Sequence, residues 1–340
     1  DEVVKAKEPS PTFLTRYMKA REANRVTGPF PYLPKFSYDN FVTSFVVDPL
    51  RGFSMRLETQ MNDILNNYRF LGGLQTAFDF KSGDVYAQLD YLPHLLDYSV
   101  RFDRKVIFWE TPQESIGDIE EQKYSFQKIE FGASYPLSVR TRITLKPFLG
   151  FSQFLDRGFV QPQPVPEFKP TEYQGYGGGK FEVVYDNSLT TDMNLIEGTR
   201  GKFSFIHYQA MGDAQKSFSQ VSLDVRHYQK IYREIVFAVR GYAGSFFGNS
   251  PKYYLLGGID NWFANSINYE GLQNPLTSAV GTYNENILFS EFATSIRGFD
   301  YATLYGNSVA MLNAEFRVPL IRALSNGPIA SNFFRNLQFM

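Results

Sequence analysis

The feature that most constrains this chain is a period of two. In RTRITLKPFLGF, Ile143, Leu145, Pro147, Leu149 and Phe151 face one way. Arg142, Thr144, Lys146, Phe148 and Gly150 face the other. In REIVFAVRGYAG, Ile235, Phe237, Val239 and Ala243 oppose Glu234, Arg240 and Tyr242. SQVSLDVR and DVYAQLDY repeat the pattern: Val221, Leu223 and Val225 oppose Gln220, Ser222, Asp224 and Arg226, and Val85, Ala87, Leu89 and Tyr91 oppose Asp84, Tyr86, Gln88 and Asp90. Successive side chains of a strand point to opposite faces, so such runs predict two-faced β-strands.

Two architectures satisfy the pattern. A soluble sandwich turns its apolar faces inward. A membrane barrel turns them to lipid around a polar lumen, and must close, because hydrocarbon offers no partner for an open edge. Strand length and composition favour the barrel. The runs often reach 10 to 14 residues, where a globular strand has about five or six. The 22 Tyr, 33 Phe and 2 Trp make the chain 17% aromatic, as interfacial girdles require. Mean hydropathy is only -0.28, and no run of 18 apolar residues marks a membrane helix.

The expected fold is therefore all-β, a transmembrane antiparallel β-barrel. Its strands are placed at 37–47, 53–62, 69–80, 84–92, 97–108, 123–135, 140–153, 174–186, 198–208, 217–229, 233–246 and 306–320, with the start of a thirteenth at 335–340. An open sheet would bare its edges to lipid, so further strands are expected beyond Met340. Residues 1–36, charged and proline-rich with a short helix around Phe13 to Ala23, read as a linker from an upstream periplasmic region, and 37–340 as the barrel domain. The N-terminus has no apolar leader core, which implies a removed signal or an excerpt of a longer chain.

The net charge of -1 supplies no basic field for nucleic acid. The absence of cysteine excludes disulfides and thiolate metal sites. His94, His207 and His227 stand singly, so neither a metal site nor a catalytic triad is expected, and no cofactor. Ser204, near His207, has the wrong strand parity to meet it. Gly175 to Lys180, GYGGGK, lacks the phosphate-loop spacing and lies in a strand pattern. Lys146, Asp224, Arg226, Glu234 and Arg240 face the lumen. Their mixed signs favour mutual pairing over a selective pore.

One loop stands out: SIRGFDYATLYGN, whose Ile296-Arg297-Gly298-Phe299 sits before strand GNSVAMLNAEFRVPL. The alternation places Glu315 in the lumen, with Asn313 and Arg317. An inward-folded loop could pair Arg297 with Glu315 bidentately, with Gly298 allowing a sharp bend and Phe299 wedging against the wall.

Ile296-Arg297-Gly298-Phe299 resembles the sixth-loop signature of the BamA-like outer-membrane assembly and translocation superfamily, the bacterial surface antigen barrels. Leu256-Gly257-Gly258 resembles the family's upstream glycine pair. Glu315-Phe316-Arg317-Val318-Pro319 is similar to its glutamate-bearing twelfth strand, and Asp63-Ile64-Leu65-Asn66-Asn67 to a turn of Bacteroidetes-type members. The specific part covers roughly 254–320. The resemblance implies sixteen strands in the full protein, twelve to thirteen of them here, and a long inward-folding signature loop over 247–305. It implies a location in the bacterial outer membrane and insertion or passage of client outer-membrane or secreted proteins, or lipids, without bond-making chemistry. Implied partners are outer-membrane lipids, clients, and periplasmic or lipoprotein accessory subunits. Two departures stand beside it. The 38 residues from Ile259 to Ile296 exceed the usual spacing and are expected to form an extended extracellular loop or cap. The family's strand-thirteen aspartate, a second partner of the loop arginine, has no counterpart that can be named. A passive diffusion channel or adhesin-like surface barrel remains the alternative, and an outer-membrane enzyme a more distant one.

Overall fold

A computed structural model describes residues 12–23, 32–48, 50–112, 119–156, 171–192, 195–232, 235–258, 286–293, 296, 298–319, 331 and 338–339. The chain divides into two compact units at Lys35/Phe36. The first contains one helix, α1 (Phe13–Ala23). Its first turn is closed by Arg16 N–H donating to the Thr12 carbonyl at 3.0 Å.

The second unit is a wall of long strands: β1 (Phe36–Asp48), β2 (Gly52–Asp63), β3 (Tyr68–Ala77), β4 (Gly83–Tyr91), β5 (Asp97–Pro112), β6 (Ile119–Pro136), β7 (Thr141–Asp156), β8 (Glu172–Asp186), β9 (Leu195–Met211), β10 (Phe218–Tyr232), β11 (Ile235–Gly248) and β12 (Ser308–Pro319). Each pairs antiparallel with the next in sequence order. Gln338–Phe339 continues the sheet on β12, opposite Pro319 and Val318. Among the described residues β1 pairs only with β2. Each expected strand is present. The largest differences in length are at β9, which runs past the expected 198–208 at both ends, and at β5 and β6, whose shared ladder runs on past the alternating segments.

Burial follows the alternation, with its sense inverted from that of a water-soluble protein. On β12, Leu312 is 77% and Phe316 57% exposed, while on the inner face Glu130 and Glu182 are only 5% and 8% exposed. Leu145, Leu149 and Phe151 on β7 are exposed, and Thr144, Phe148 and Ser152 between them are buried. Water would not tolerate apolar stripes outside a polar interior, whereas hydrocarbon requires them. Tyr38, Tyr98, Tyr135 and Tyr185 stand exposed at one end of their strands. That end carries the short connections Asp63–Tyr68, Tyr91–Asp97 and Pro136–Thr141, and the tyrosines form an interfacial girdle there.

Local chemistry shapes the connections. Between β2 and β3, Asn66 adopts φ +56° and its N–H donates to the Asp63 carbonyl at 3.0 Å. The buried Asp63 carboxylate accepts from Tyr68 N–H at 2.9 Å. Asn tolerates this left-handed backbone better than most residues. The GYGGGK run lies inside β8. A Cβ at Gly178 would stand 2.6 Å from the Phe148 ring and 2.0 Å from the His207 carbonyl oxygen, so the glycine gives the ring its place.

The inverted burial yields a direct test. Leu223→Arg, on the outer face of β10, should cost about 2–4 kcal/mol of folding stability in bilayers if it lies near the midplane. Urea titration of vesicle-folded protein measures it. A change within about 0.5 kcal/mol, as on a water-exposed surface, would contradict the lipid-facing assignment.

Candidate functional site

The chain leaves β11 at Gly248 and re-enters the wall at Ser308. The described parts of this excursion form a compact body against the inner face of the wall. Tyr254–Leu256 is its central strand. It runs parallel to Glu291–Ala293 and antiparallel to Leu304–Gly306. Residues 259–285 lie outside the described residues, so the extended cap expected there is not observed. What is described folds inward.

Three contacts hold this body to the wall. The first is an aromatic cage. Helix α2 (Asn286–Phe289) buries Ile287 and Leu288. The Phe289 ring meets Phe126 and Phe218 at 5.1 Å and Tyr176 and Tyr208 at 5.4 Å between centroids. These four rings come from β6, β10, β8 and β9. The second is polar: Gln220 on β10 donates to the Tyr254 hydroxyl at 2.9 Å, and Lys105 Nζ on β5 donates to the Leu288 carbonyl at 3.2 Å. Tyr254 is fully buried against Phe246, and burial pushes its phenol above the usual tyrosine range although the Gln220 hydrogen bond pulls it back. The third is at the root, where Phe246 N–H donates to the Asn307 carbonyl at 2.7 Å and Asn307 Nδ2 to the Lys252 carbonyl at 3.0 Å.

The glycine pair and the signature meet inside this body. Gly258 bridges Ile296, and its N–H donates to the Phe299 carbonyl at 2.9 Å. Gly257 has φ +123°, and a Cβ there would stand 2.0 Å from the Asp300 carbonyl oxygen. Gly258 has φ +77°, and a Cβ there would stand 2.4 Å from the Tyr301 ring. Both positions exclude a side chain on backbone conformation and on space. Gly298 has φ +86° with open space around it, so its requirement is conformational alone.

The expectation for Phe299 needs correction. Its side chain is 54% exposed, and the aromatic that wedges is Tyr301, which is 2% exposed with its ring edge-on to Phe292 at 5.9 Å. The slot beside Gly258 receives the residue two positions on, while Phe299 contributes its carbonyl. Tyr254, Phe289 and Tyr301 are the anchoring residues that pattern reading missed. Their segments are too short to show a period, and only a ring two residues past the signature hinted at Tyr301.

Arg297 lies outside the described residues, and with it the expected Arg297–Glu315 contact. Glu315 does project from the inner face of β12, opposite Ala238 on β11, with Arg317 Nη2 at 3.4 Å from its carboxylate. Asn313 sits opposite Arg240. The Arg317 guanidinium lies 5.4 Å from the Tyr228 ring centroid. A cavity of about 310 Å³ separates the loop from this wall, lined by Arg226, Arg240, Tyr242, Glu291, Phe292 and Met311 among others.

Elsewhere the lumen charges pair with each other. Glu130 receives Lys128 at 2.8 Å and Lys146 at 3.4 Å. Glu182 receives Lys202 at 2.8 Å and Lys180 at 3.1 Å. Asp224 lies between Arg226 at 3.0 Å and Arg240 at 2.9 Å. Glu234 lies outside the described residues. The histidines on the wall pair with hydroxyls across the strands: His207 with Ser219 and His227 with Thr199, both at 2.8 Å. His94 lies edge-on to Tyr91. None of these three has an acidic partner among its hydrogen bonds described here.

Gly257→Ala tests the lock between the two sides of the loop. The strained backbone and the clash with the Asp300 carbonyl should cost on the order of 1–3 kcal/mol. Limited proteolysis of the membrane-folded variant should then cut between 249 and 307 faster than in the wild type. An unchanged digestion pattern would show that the close approach does not hold the loop.

No family model matches this sequence, and no curated protein is similar to it in sequence. Two solved structures share its fold. CdiB from Escherichia coli superposes with a TM-score of 0.50 at 12% identity, over 86% of this chain and 49% of that one. BamA from Haemophilus ducreyi lacking POTRA domains 1–3 superposes with a TM-score of 0.51 at 12% identity, over 96% of this chain and 64% of that one. This chain thus spans less than two thirds of either. In its sheet order, its inverted burial and its likeness to both structures, the chain has the fold of a BamA-like outer-membrane β-barrel.

Proposed function

We propose that this chain is the membrane-embedded wall of a factor that inserts or passes client polypeptides, or lipids, at a bacterial outer membrane. The observation that carries this reading is the loop between β11 and β12. It turns inward, locks on itself at Gly257 and Gly258, and seats Phe289 in a ring cage on the wall. A passive diffusion channel gains nothing from an apolar body across its lumen. The fold shared with BamA and CdiB supports the same reading. In this orientation the short turns face the periplasm and the longer loops the cell exterior.

The mechanism is physical, without a catalytic residue or cofactor. A strand edge whose closure is imperfect can lend its N–H and C=O groups to a client strand. The signature resemblance assigns Arg297 the role of bracing the loop within the lumen through Glu315 while this happens. Clients, accessory subunits and outer-membrane lipids are the expected partners.

Arg297→Ala should destabilise the barrel by less than an orphaned buried charge does, about 3–5 kcal/mol, because Glu315 is 32% exposed and keeps Arg317 at 3.4 Å. The effect is read as a lower temperature for loss of the compact band on heat-modifiability gels. The variant should still enter membranes. Wild-type heat-modifiability would remove the bracing role. In planar bilayers the wild-type protein should give small, flickering currents, whereas a large, steady conductance would favour the diffusion channel.

A further inference from the structure

Helix α1, FLTRYMKAREA, is not absorbed by the barrel reading. Phe13, Leu14, Tyr17 and Met18 are each more than half exposed. At 100° per residue these positions share one face about 140° wide. Thr15 and Lys19 occupy the opposite face, Arg16 borders it, and Glu22 stands one turn beyond Met18 at the edge of the stripe. Arg21 falls on the apolar side in the last turn, where its aliphatic stem can lie along the stripe while the guanidinium reaches outward. Three cations stand against one carboxylate. A contiguous apolar stripe of this kind on a short helix calls for an occupant.

We propose that α1 lies in the plane of an anionic lipid surface, with Phe13, Leu14, Tyr17 and Met18 in the acyl boundary and Arg16, Lys19 and Arg21 at headgroup level. Charge complementarity selects this occupant. Basic residues beside an apolar stripe match lipid phosphates at an interface. The covalent tether makes the surface available. Only residues 24–35 separate α1 from Phe36, which pairs with Asp63 at the short-turn end of the wall. A chain of that length reaches about 45 Å at most, so the leaflet at that end is always within range. An 11-residue helix is marginal in water, and an interface that buries its apolar side stabilises it.

This inference rests on the barrel reading only in that the wall must sit in a bilayer. The full chain has no cysteine, so Tyr17→Cys and Thr15→Cys, on opposite faces of the helix, each carry one environment-sensitive fluorophore. The labelled chains are folded into vesicles of phosphatidylcholine alone or with phosphatidylglycerol. A lipid-borne nitroxide should quench the label at position 17 at least about twofold more than at position 15, and more strongly in the anionic vesicles. Charge reversal by Arg16→Glu with Lys19→Glu should abolish the anionic preference. Equal quenching of both labels by aqueous iodide would overturn the proposal. So would protection of position 17 from both quenchers, which would mean that protein covers the stripe. Equal quenching in the two vesicle types would overturn the assignment of an anionic surface. Heat-modifiability of the same samples reports the barrel independently, so a free helix on an inserted barrel is distinguishable from a barrel that never inserted.

Discussion

Hydrocarbon offers no hydrogen-bond partner to a peptide group, and the rest of this structure depends on that constraint. Each unpaired N–H or C=O at membrane depth costs several kcal/mol. A sheet of sequential antiparallel neighbours removes the penalty strand by strand, because every connection can be a hairpin. The same constraint explains the polar groups on the outer face. His207 and His227 would be costly beside lipid alone, yet each meets a hydroxyl on the adjacent strand at 2.8 Å. A cross-strand pair satisfies one hydrogen-bonding atom on each side chain without breaking the ladder.

With apolar side chains turned outward, the interior inherits the polar ones and must neutralise them. It does so in clusters that share carboxylates between strands. Glu130 links β6 to β7, Glu182 links β8 to β9, and Asp224 links β10 to β11. Towards the long-loop end the lining changes to rings, from Phe126, Tyr176, Tyr208 and Phe218. A polar loop would leave those rings against water. Phe289, Ile287 and Leu288 supply the complementary surface, so the character of the wall and the inward turn of the loop are one arrangement.

The wall was legible in the sequence because its information is local. One period of two, read over a dozen residues, places a strand and assigns its faces, and β1 to β12 stand within a few residues of where the pattern puts them. The ends of β5 and β6 were not legible. WETP and IEEQK do not alternate, and they pair because the alternating segments beside them set the register, from Phe108 opposite Lys123 out to Pro112 opposite Ile119. The loop was harder for a different reason. Its strands are three residues long and join segments about 35 and 50 positions apart in sequence, which no periodicity can reveal. The resemblance supplied the glycine pair and the signature, and the structure shows them in contact. It did not supply the wedge: Phe299, within the signature, stays exposed while Tyr301, outside it, is buried. Which ring enters the slot is decided by the hydrogen bond from Gly258 to the Phe299 carbonyl, a long-range contact invisible in the motif itself.

Two boundaries of unequal strength follow from these contacts. Within the loop, close backbone approaches at Gly257 and Gly258 join its two sides, and separating them means breaking a bridge and its hydrogen bond together. Between the loop and the wall, most of the interface is ring and aliphatic packing around α2. Burying each of Ile287, Leu288 and Phe289 contributes about 1.5–3 kcal/mol, or roughly 5–9 kcal/mol together. Against that figure the α2 segment would leave its cage unaided in only about one molecule in 10⁴ to 10⁷. The cage is thus the firmer of the two boundaries, since one bridge and its hydrogen bond contribute only about 0.5–1.5 kcal/mol. Whatever displaced α2 would have to offer the ring cage an apolar surface of similar area, which a small hydrophilic solute cannot do.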